Sequence, residues 1–167
     1  PTVITLSPKT SAGVPGFIYF LNPNTSSLTR VLADQPGLTT LVNPTGTKLI
    51  YNRGLGDLRL YSVKDSATTL LTIATLPEKC VWASDAITLY CAVPVNSPVA
   101  QYPDAWWSGE VVFTDSFWKL NTDTGEATIL LASQLALDAT NPILDEVGKR
   151  LIFTDKFSGQ LWALDLR

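Results

Sequence analysis

The chain has no histidine, no methionine and only two cysteines in 167 residues. Without histidine there is no Ser-His-Asp or Cys-His nucleophile, no imidazole acid/base and no histidine-containing zinc site. Two thiolates alone cannot build a four-thiolate site. Charge is also scarce: Asp, Glu, Lys and Arg make up 16% of the chain and the net charge is −3, well under the usual quarter of charged residues. The lysines and arginines form no long cluster, which excludes the electrostatic footprint of a nucleic-acid binder. The longest apolar runs, such as 69–74, are strand-sized, far short of the roughly 18 residues of a membrane span, so no membrane insertion is expected. The start, Pro1-Thr2-Val3-Ile4, has no basic stretch leading into an apolar one. No signal peptide is expected, and without a methionine the sequence reads as a piece, or a processed form, of a longer precursor.

What is abundant is apolar surface: 46% of residues are hydrophobic, enough for a sizeable core in one domain, 1–167. It is arranged as a repeat. An alternating strand, a polar turn and a second strand occur at 18–32, 60–73 and 117–131, and a fourth copy opens at 161–165. In each copy an aromatic residue precedes an aliphatic one by two positions: Tyr19/Leu21, Tyr61/Val63, Trp118/Leu120 and Trp162/Leu164. Residues two apart on a strand share one face. Leu21 to Val63 spans 42 residues, Val63 to Leu120 spans 57 and Leu120 to Leu164 spans 44. A period of roughly 40–45 residues is that of a four-stranded propeller blade, and the long interval is one period plus an insertion.

A second hairpin type lies between these pairs, at 38–51, 80–91 and 142–153. Aligning Leu49, Leu89 and Leu151 puts Gly46, Ala86 and Gly148 at one turn position, where glycine suits φ > 0. Two hairpins per period make four strands. The fold expected is all-β: propeller blades of four antiparallel strands, about three of them plus a terminal strand, with repeats at about 16–57, 58–114 and 115–158 and the last strand at 159–167. A β-sandwich, which also has short strands and frequent turns, is the competing architecture.

The run Asn-Pro-Thr-Gly-Thr-Lys-Leu-Ile-Tyr at 43–51 resembles the "SPDGKxLAF" segment of TolB-like, PD40-type (WD40-like) propeller repeats. Phe-Trp-Lys-Leu-Asn-Thr-Asp-Thr-Gly-Glu at 117–126 and Leu-Trp-Ala-Leu-Asp-Leu at 161–166 resemble the "LWxLDLxTGE" segment of the same repeats. The middle copy departs, with Ser-Asp-Ala in place of Pro-Asp-Gly. The resemblance implies a six- to eight-bladed parent, typically extracytoplasmic, that serves as a binding platform or as the propeller half of an enzyme. An open array of blades leaves two sheet faces that a closed ring would bury. The chain is therefore expected to pair with itself, as a homodimer, or with the rest of a longer chain. A fragment with capped ends is the alternative.

Three sets of residues are singled out for function. Cys80 and Cys91 fall opposite each other in a tight hairpin centred on Asp85-Ala86, within disulfide reach. A disulfide points to an oxidising compartment, whereas reduced cysteines would pack as small hydrophobes. The insertion at 95–110 carries Tyr102, Trp106 and Trp107, large rigid side chains suited to contacting a protein partner; alternatively they fold back over a neighbouring blade. Asp57, Asp115 and Asp155 sit near strand ends on one side and would suit a Ca²⁺ or Mg²⁺ ion, although aspartates there more often cap turns. No cofactor or catalytic motif is present. The function expected is a non-enzymatic binding or assembly module; the alternative is a metal-dependent hydrolase or lactonase with carboxylates at the axis.

Overall fold

The computed structural model describes residues 3–145 and 147–166. Pro1, Thr2, Glu146 and Arg167 lie outside the described residues, and with them the first residues of the chain start and one residue of the third turn. Among the described residues fourteen strands form: β1 (Ile4–Leu6), β2 (Pro15–Leu21), β3 (Leu28–Pro36), β4 (Thr40–Val42), β5 (Lys48–Asn52), β6 (Leu58–Ser62), β7 (Ala67–Leu70), β8 (Cys80–Trp82), β9 (Thr88–Pro94), β10 (Asp115–Asn121), β11 (Ala127–Leu131), β12 (Ala139–Leu144), β13 (Arg150–Asp155) and β14 (Leu161–Asp165). A 3₁₀ turn at Pro77–Lys79 precedes β8, and one short helix, α1 (Asp104–Trp107), lies between β9 and β10.

The strands make four antiparallel sheets in chain order: β1–β3, β4–β7, β8–β11 and β12–β14. Each sheet packs on the next through alternate residues. Ile18 and Phe20 of β2 meet Leu49 and Tyr51 of β5. The residue between them, Ile50, faces the other way and meets Trp82 and Leu89 of the third sheet. Ala92 and Phe117 then meet Ala139, Leu151 and Phe153 of the fourth, with the Phe117 and Phe153 rings 4.8 Å apart. Period-two alternation thus supplies both faces of each inner sheet. Sheets stacked one after another in sequence order, with β8 alongside β12, make a partial β-propeller and not a two-sheet sandwich.

The phase of the repeat differs from the sequence division. The 16–57, 58–114 and 115–158 units each run from the third strand of one sheet to the second strand of the next. The sheets themselves break at 37–39, 71–79 and 132–138. The hydrophobic pattern marks hairpins, and it does not say which two hairpins share a sheet. By alignment with the inner sheets, β1–β3 correspond to strands two to four and β12–β14 to strands one to three. The last described strand therefore belongs to a three-stranded sheet and does not stand alone.

Cys80 and Cys91 are directly paired across β8 and β9 and form a disulfide, both buried in the core between the second and third sheets. The turns between first and second strands are built alike. Gly46, Ala86 and Gly148 all have positive φ, at 72°, 60° and 65°. Two backbone N–H groups after each turn need an acceptor. Asn43 Oδ1 serves Thr47 and Lys48, and Asp145 Oδ1 serves Lys149 and Arg150. The middle turn has Ala83 at that position, and Asp85 Oδ1 bonds Ile87 and Thr88 in its stead. The Ser-Asp-Ala departure keeps the turn by moving the acceptor two residues along the chain. Its remaining cost is an alanine in the left-handed region. Ala86→Gly should therefore stabilise the fold by about 0.5–1 kcal/mol, read as a higher urea midpoint at unchanged m-value.

Candidate functional site

The loops joining second to third strands (7–14, 53–57, 95–114 and 156–160) and those joining successive sheets gather at one end of the array. At that end lies a buried ionic cluster, and it draws charge from short polar interruptions of apolar runs: Leu76-Pro77-Glu78-Lys79-Cys80 and Leu137-Asp138-Ala139. The 3₁₀ turn carries the Lys79 side chain fully inside. An ammonium has three protons, and Lys79 Nζ has three acceptors: Asp138 Oδ1 at 2.5 Å, Asp115 Oδ2 at 2.8 Å and the Ala139 carbonyl at 2.9 Å. Its charge also lies 5.1 Å from the Trp106 ring centre and 5.2 Å from that of Phe113, within cation–π range.

Asp138 is the hub. Besides Lys79, it accepts the Trp106 indole N–H at 3.0 Å and the Phe113 backbone N–H at 3.0 Å. The backbone N–H groups of Asp138 and Ala139 are in turn held by Asp155 Oδ1 and Asp115 Oδ2. Two of the three aspartates singled out in the sequence are therefore brought together, on the backbone at 138–139. Asp57 instead pairs with Arg59 at 2.6 Å. Among the described residues no three His, Cys, Asp or Glu side chains are placed to hold a metal ion. The turn-capping role weighed for these aspartates describes Asp155, whose Oδ2 accepts the backbone N–H and hydroxyl of Ser158.

The protonation of the cluster follows from its charge. Lys79 against Asp115 and Asp138 leaves one negative charge in excess in a site closed to water. Burial pushes the Asp115 carboxyl up to about 6, against the pull of Lys79, and Asp115 Oδ1 has no hydrogen-bond partner. Asp155 goes the other way. Burial opposes its ionisation, but the bonds from Ser158 and Asp138 together outweigh it and hold its carboxyl below the usual range.

The loop 95–114, which contains the 95–110 insertion, closes over this cluster. Tyr102 and Trp106 are buried, and Tyr102, Trp106 and Phe113 stack with centres 5.8 and 6.3 Å apart. Asp104 reaches the first sheet's loop, accepting the Ser11 hydroxyl and the Ala12 N–H, both at 2.8 Å. Gly37, at φ 64°, lies so close beneath that a Cβ would stand 2.9 Å from the Tyr102 carbonyl. Tyr102 and Trp106 thus fold back onto the sheets, as the alternative reading had it. Trp107 alone of the three stays partly open, 36% exposed. It lines a cavity of about 380 Å³ with Thr10, Thr39 and Glu78. Burial raises the Glu78 carboxyl, while hydrogen bonds from Thr39 (3.0 Å) and Trp107 act against that rise. Glu78, Lys79 and Asp138 were not singled out from the sequence; charges flanked by apolar residues in a charge-poor chain were the available signal.

Two outcomes test the cluster. Lys79→Met strands two buried carboxylates and should cost about 3–5 kcal/mol in urea unfolding, part of it recovered by adding Asp115→Asn. The second concerns pH. Asp115 titrates near 4 in the unfolded chain and near 6 when folded, so the folded state binds more protons between those values. Stability should fall as pH rises from about 4 to about 6, by roughly 3 kcal/mol, and level off above. Glu78, also raised, adds to the same slope, and the lowered Asp155 acts only below about 4. Melting temperatures across this range should lose most of the slope in Asp115→Asn; an unchanged slope assigns it elsewhere.

No family model matches the sequence, and no curated protein matches it. Solved structures share its fold. The tricorn protease aligns with a TM-score of 0.62 at 9% identity, over 96% of this chain and 16% of that one. Hydrazine synthase of Kuenenia stuttgartiensis gives 0.60 at 14%, over 95% and 51%. An oligogalacturonate lyase solved in complex with manganese gives 0.57 at 15%, over 90% and 43%. The chain thus spans about half or less of the length of these proteins. The tricorn protease and the oligogalacturonate lyase contain β-propeller domains, and at such identities the likeness concerns the fold alone: this chain is a partial β-propeller.

Proposed function

We propose that this chain is a non-enzymatic binding and assembly module, a TolB-like or PD40-type propeller segment that completes a ring by pairing with further blades. The observation that carries this reading is the pair of open sheet faces. On the first sheet Ile4, Leu21 and Leu28 form one cross-strand row, and Leu6 and Tyr19 the next. Ile4, Leu6 and Leu28 are exposed. On the last sheet Ile143, Ile152 and Ala163 form a row beside Leu161, and Ile143 and Leu161 are exposed. The inner sheets bury the equivalent surfaces against a neighbour. Interior-type faces left open mark interaction sites. The absence of histidine and the use of Lys79 and Asp115 within a closed cluster argue against an active site at the axis. The disulfide supports an extracytoplasmic, oxidising setting, and among the described residues no helix is long and apolar enough to cross a membrane.

Sedimentation of the isolated chain is the direct test. Self-association is expected, and Leu6→Lys with Leu161→Lys should return the chain to a folded monomer with an unchanged disulfide. A chain that is monomeric at all concentrations, with and without these substitutions, defeats ring completion by self-pairing.

A further inference from the structure

Each internal boundary of the array joins the same two kinds of surface: one sheet presents the face that looks forward along the chain, and the next presents the face that looks back. Strand register identifies the backward face. Ile4 pairs with Leu21 across β1 and β2, as Leu49 pairs with Tyr61, Leu89 with Leu120 and Leu151 with Leu164 in the other sheets. Leu49, Leu89 and Leu151 are 0%, 0% and 1% exposed, each packed on the preceding sheet, whereas Ile4 is 44% exposed. The forward face is identified in the same way. Ile18, Leu58 and Phe117 stand three residues before Leu21, Tyr61 and Leu120. They are 0%, 0% and 2% exposed, each packed on the following sheet. Leu161 stands three residues before Leu164 and is 74% exposed. Ile143, which holds the place of Leu41 and Val81 in the inner sheets, is open as well.

The chain thus holds one unused backward face, on its first sheet, and one unused forward face, on its last. They are the two halves of a single boundary. We infer that a second copy of this chain occupies both, stacked head to tail: Leu161 and Ile143 of one copy lie on Ile4 and Leu6 of the other, and the same contact recurs at the far end, closing a ring built of four sheets from each chain. The pairing rests on the reading of the chain as an assembly module and adds the partner and the order of contact. It introduces no new kind of surface, since it repeats a boundary that the chain already makes three times within itself. Like faces do not satisfy the pattern. A backward face on a backward face sets Ile4 and Leu6 against themselves and leaves Leu161 and Ile143 of both copies in water. Head-to-tail order covers all four open faces of two chains at once, and its second contact leaves no face for a third copy.

Sedimentation equilibrium of the native chain and of two single variants separates the orders of contact. The native chain should reach the mass of a dimer and go no further as concentration rises. In head-to-tail order every contact between two Leu6→Lys chains buries one lysine, and the same holds for Leu161→Lys. Each variant alone should therefore be a folded monomer, its self-association weakened at least about a hundredfold. An equimolar mixture restores one contact, between the intact last sheet of the Leu6→Lys chain and the intact first sheet of the Leu161→Lys chain. It should give a one-to-one heterodimer. If either variant does not fold, Ile4→Lys or Ile143→Lys takes its place on the same face. A dimer of Leu161→Lys alone means that first sheets pair with each other, and a dimer of Leu6→Lys alone means that last sheets do. Either result overturns head-to-tail order while self-association stands, as does a mixture that stays monomeric or a native assembly that grows past the dimer. A native chain that is monomeric at every concentration overturns this pairing and self-association together.

Discussion

A β-sheet that is apolar on both faces must be covered on both faces, and the rest of this structure follows from that requirement. Leu49 and Tyr51 look one way along β5 and Ile50 the other, so the second sheet needs the first and the third at once. The same holds for the third sheet, with Ala92 and Phe117 on one side and Leu89 and Cys91 on the other. Burial of a single large aliphatic side chain is worth about 1.5–3 kcal/mol, more than a turn or a surface ion pair contributes. The stack therefore decides the architecture, and the turns follow it. The middle turn shows this directly: it keeps the shape of its neighbours with an alanine at positive φ and a relocated capping aspartate, because the strands on either side are fixed by packing.

Stacking along the sheets does not by itself fix their ends relative to one another. That task falls to the loop end, where a chain poor in charge places three ionic side chains fully out of water. Lys79 comes from the turn before β8, Asp115 from the start of β10 and Asp138 from the link into β12. Trp106, from the insertion, and Phe113, from the end of the same loop, close the cluster against solvent. A buried ion pair is weak evidence for net stability. What this one supplies is position: Lys79 has one arrangement that uses all three protons, and Asp138 one that serves both Trp106 and Phe113. The unused oxygen of Asp115 and its carboxyl near 6 are the residual cost of that arrangement.

How much of this is legible in the sequence depends on range. Strands, hairpins and the pairing of Cys80 with Cys91 follow from neighbours within about a dozen residues, and period-two alternation reports them well. Gly46 and Gly148 marked the turns, and even Ala86 fell into place by alignment. The grouping of hairpins into sheets was less visible, since the pattern repeats with the same period whichever strand is counted first. The cluster was not visible. Its partners are separated by 59 residues between Lys79 and Asp138 and 32 between Trp106 and Asp138, and nothing local to Lys79 distinguishes it from a solvated lysine except its apolar flanks. Asp115 and Asp155 were noticed for being acidic at strand ends. They are used there for backbone N–H groups as well as for charge.

The insertion buries Tyr102 and Trp106 and leaves Trp107 partly open. The insertion is tied down at Asp104 to Ser11 and Ala12, at Trp106 to Asp138 and at Tyr102 over Gly37. The helix that carries Trp107 therefore has little freedom to lose when something binds. Ordering a loop on binding normally takes away part of the contact energy. Here the contacts that order the loop are already made within the fold. The outer sheet faces leave apolar side chains open, whereas the loop end closes over its ionic cluster.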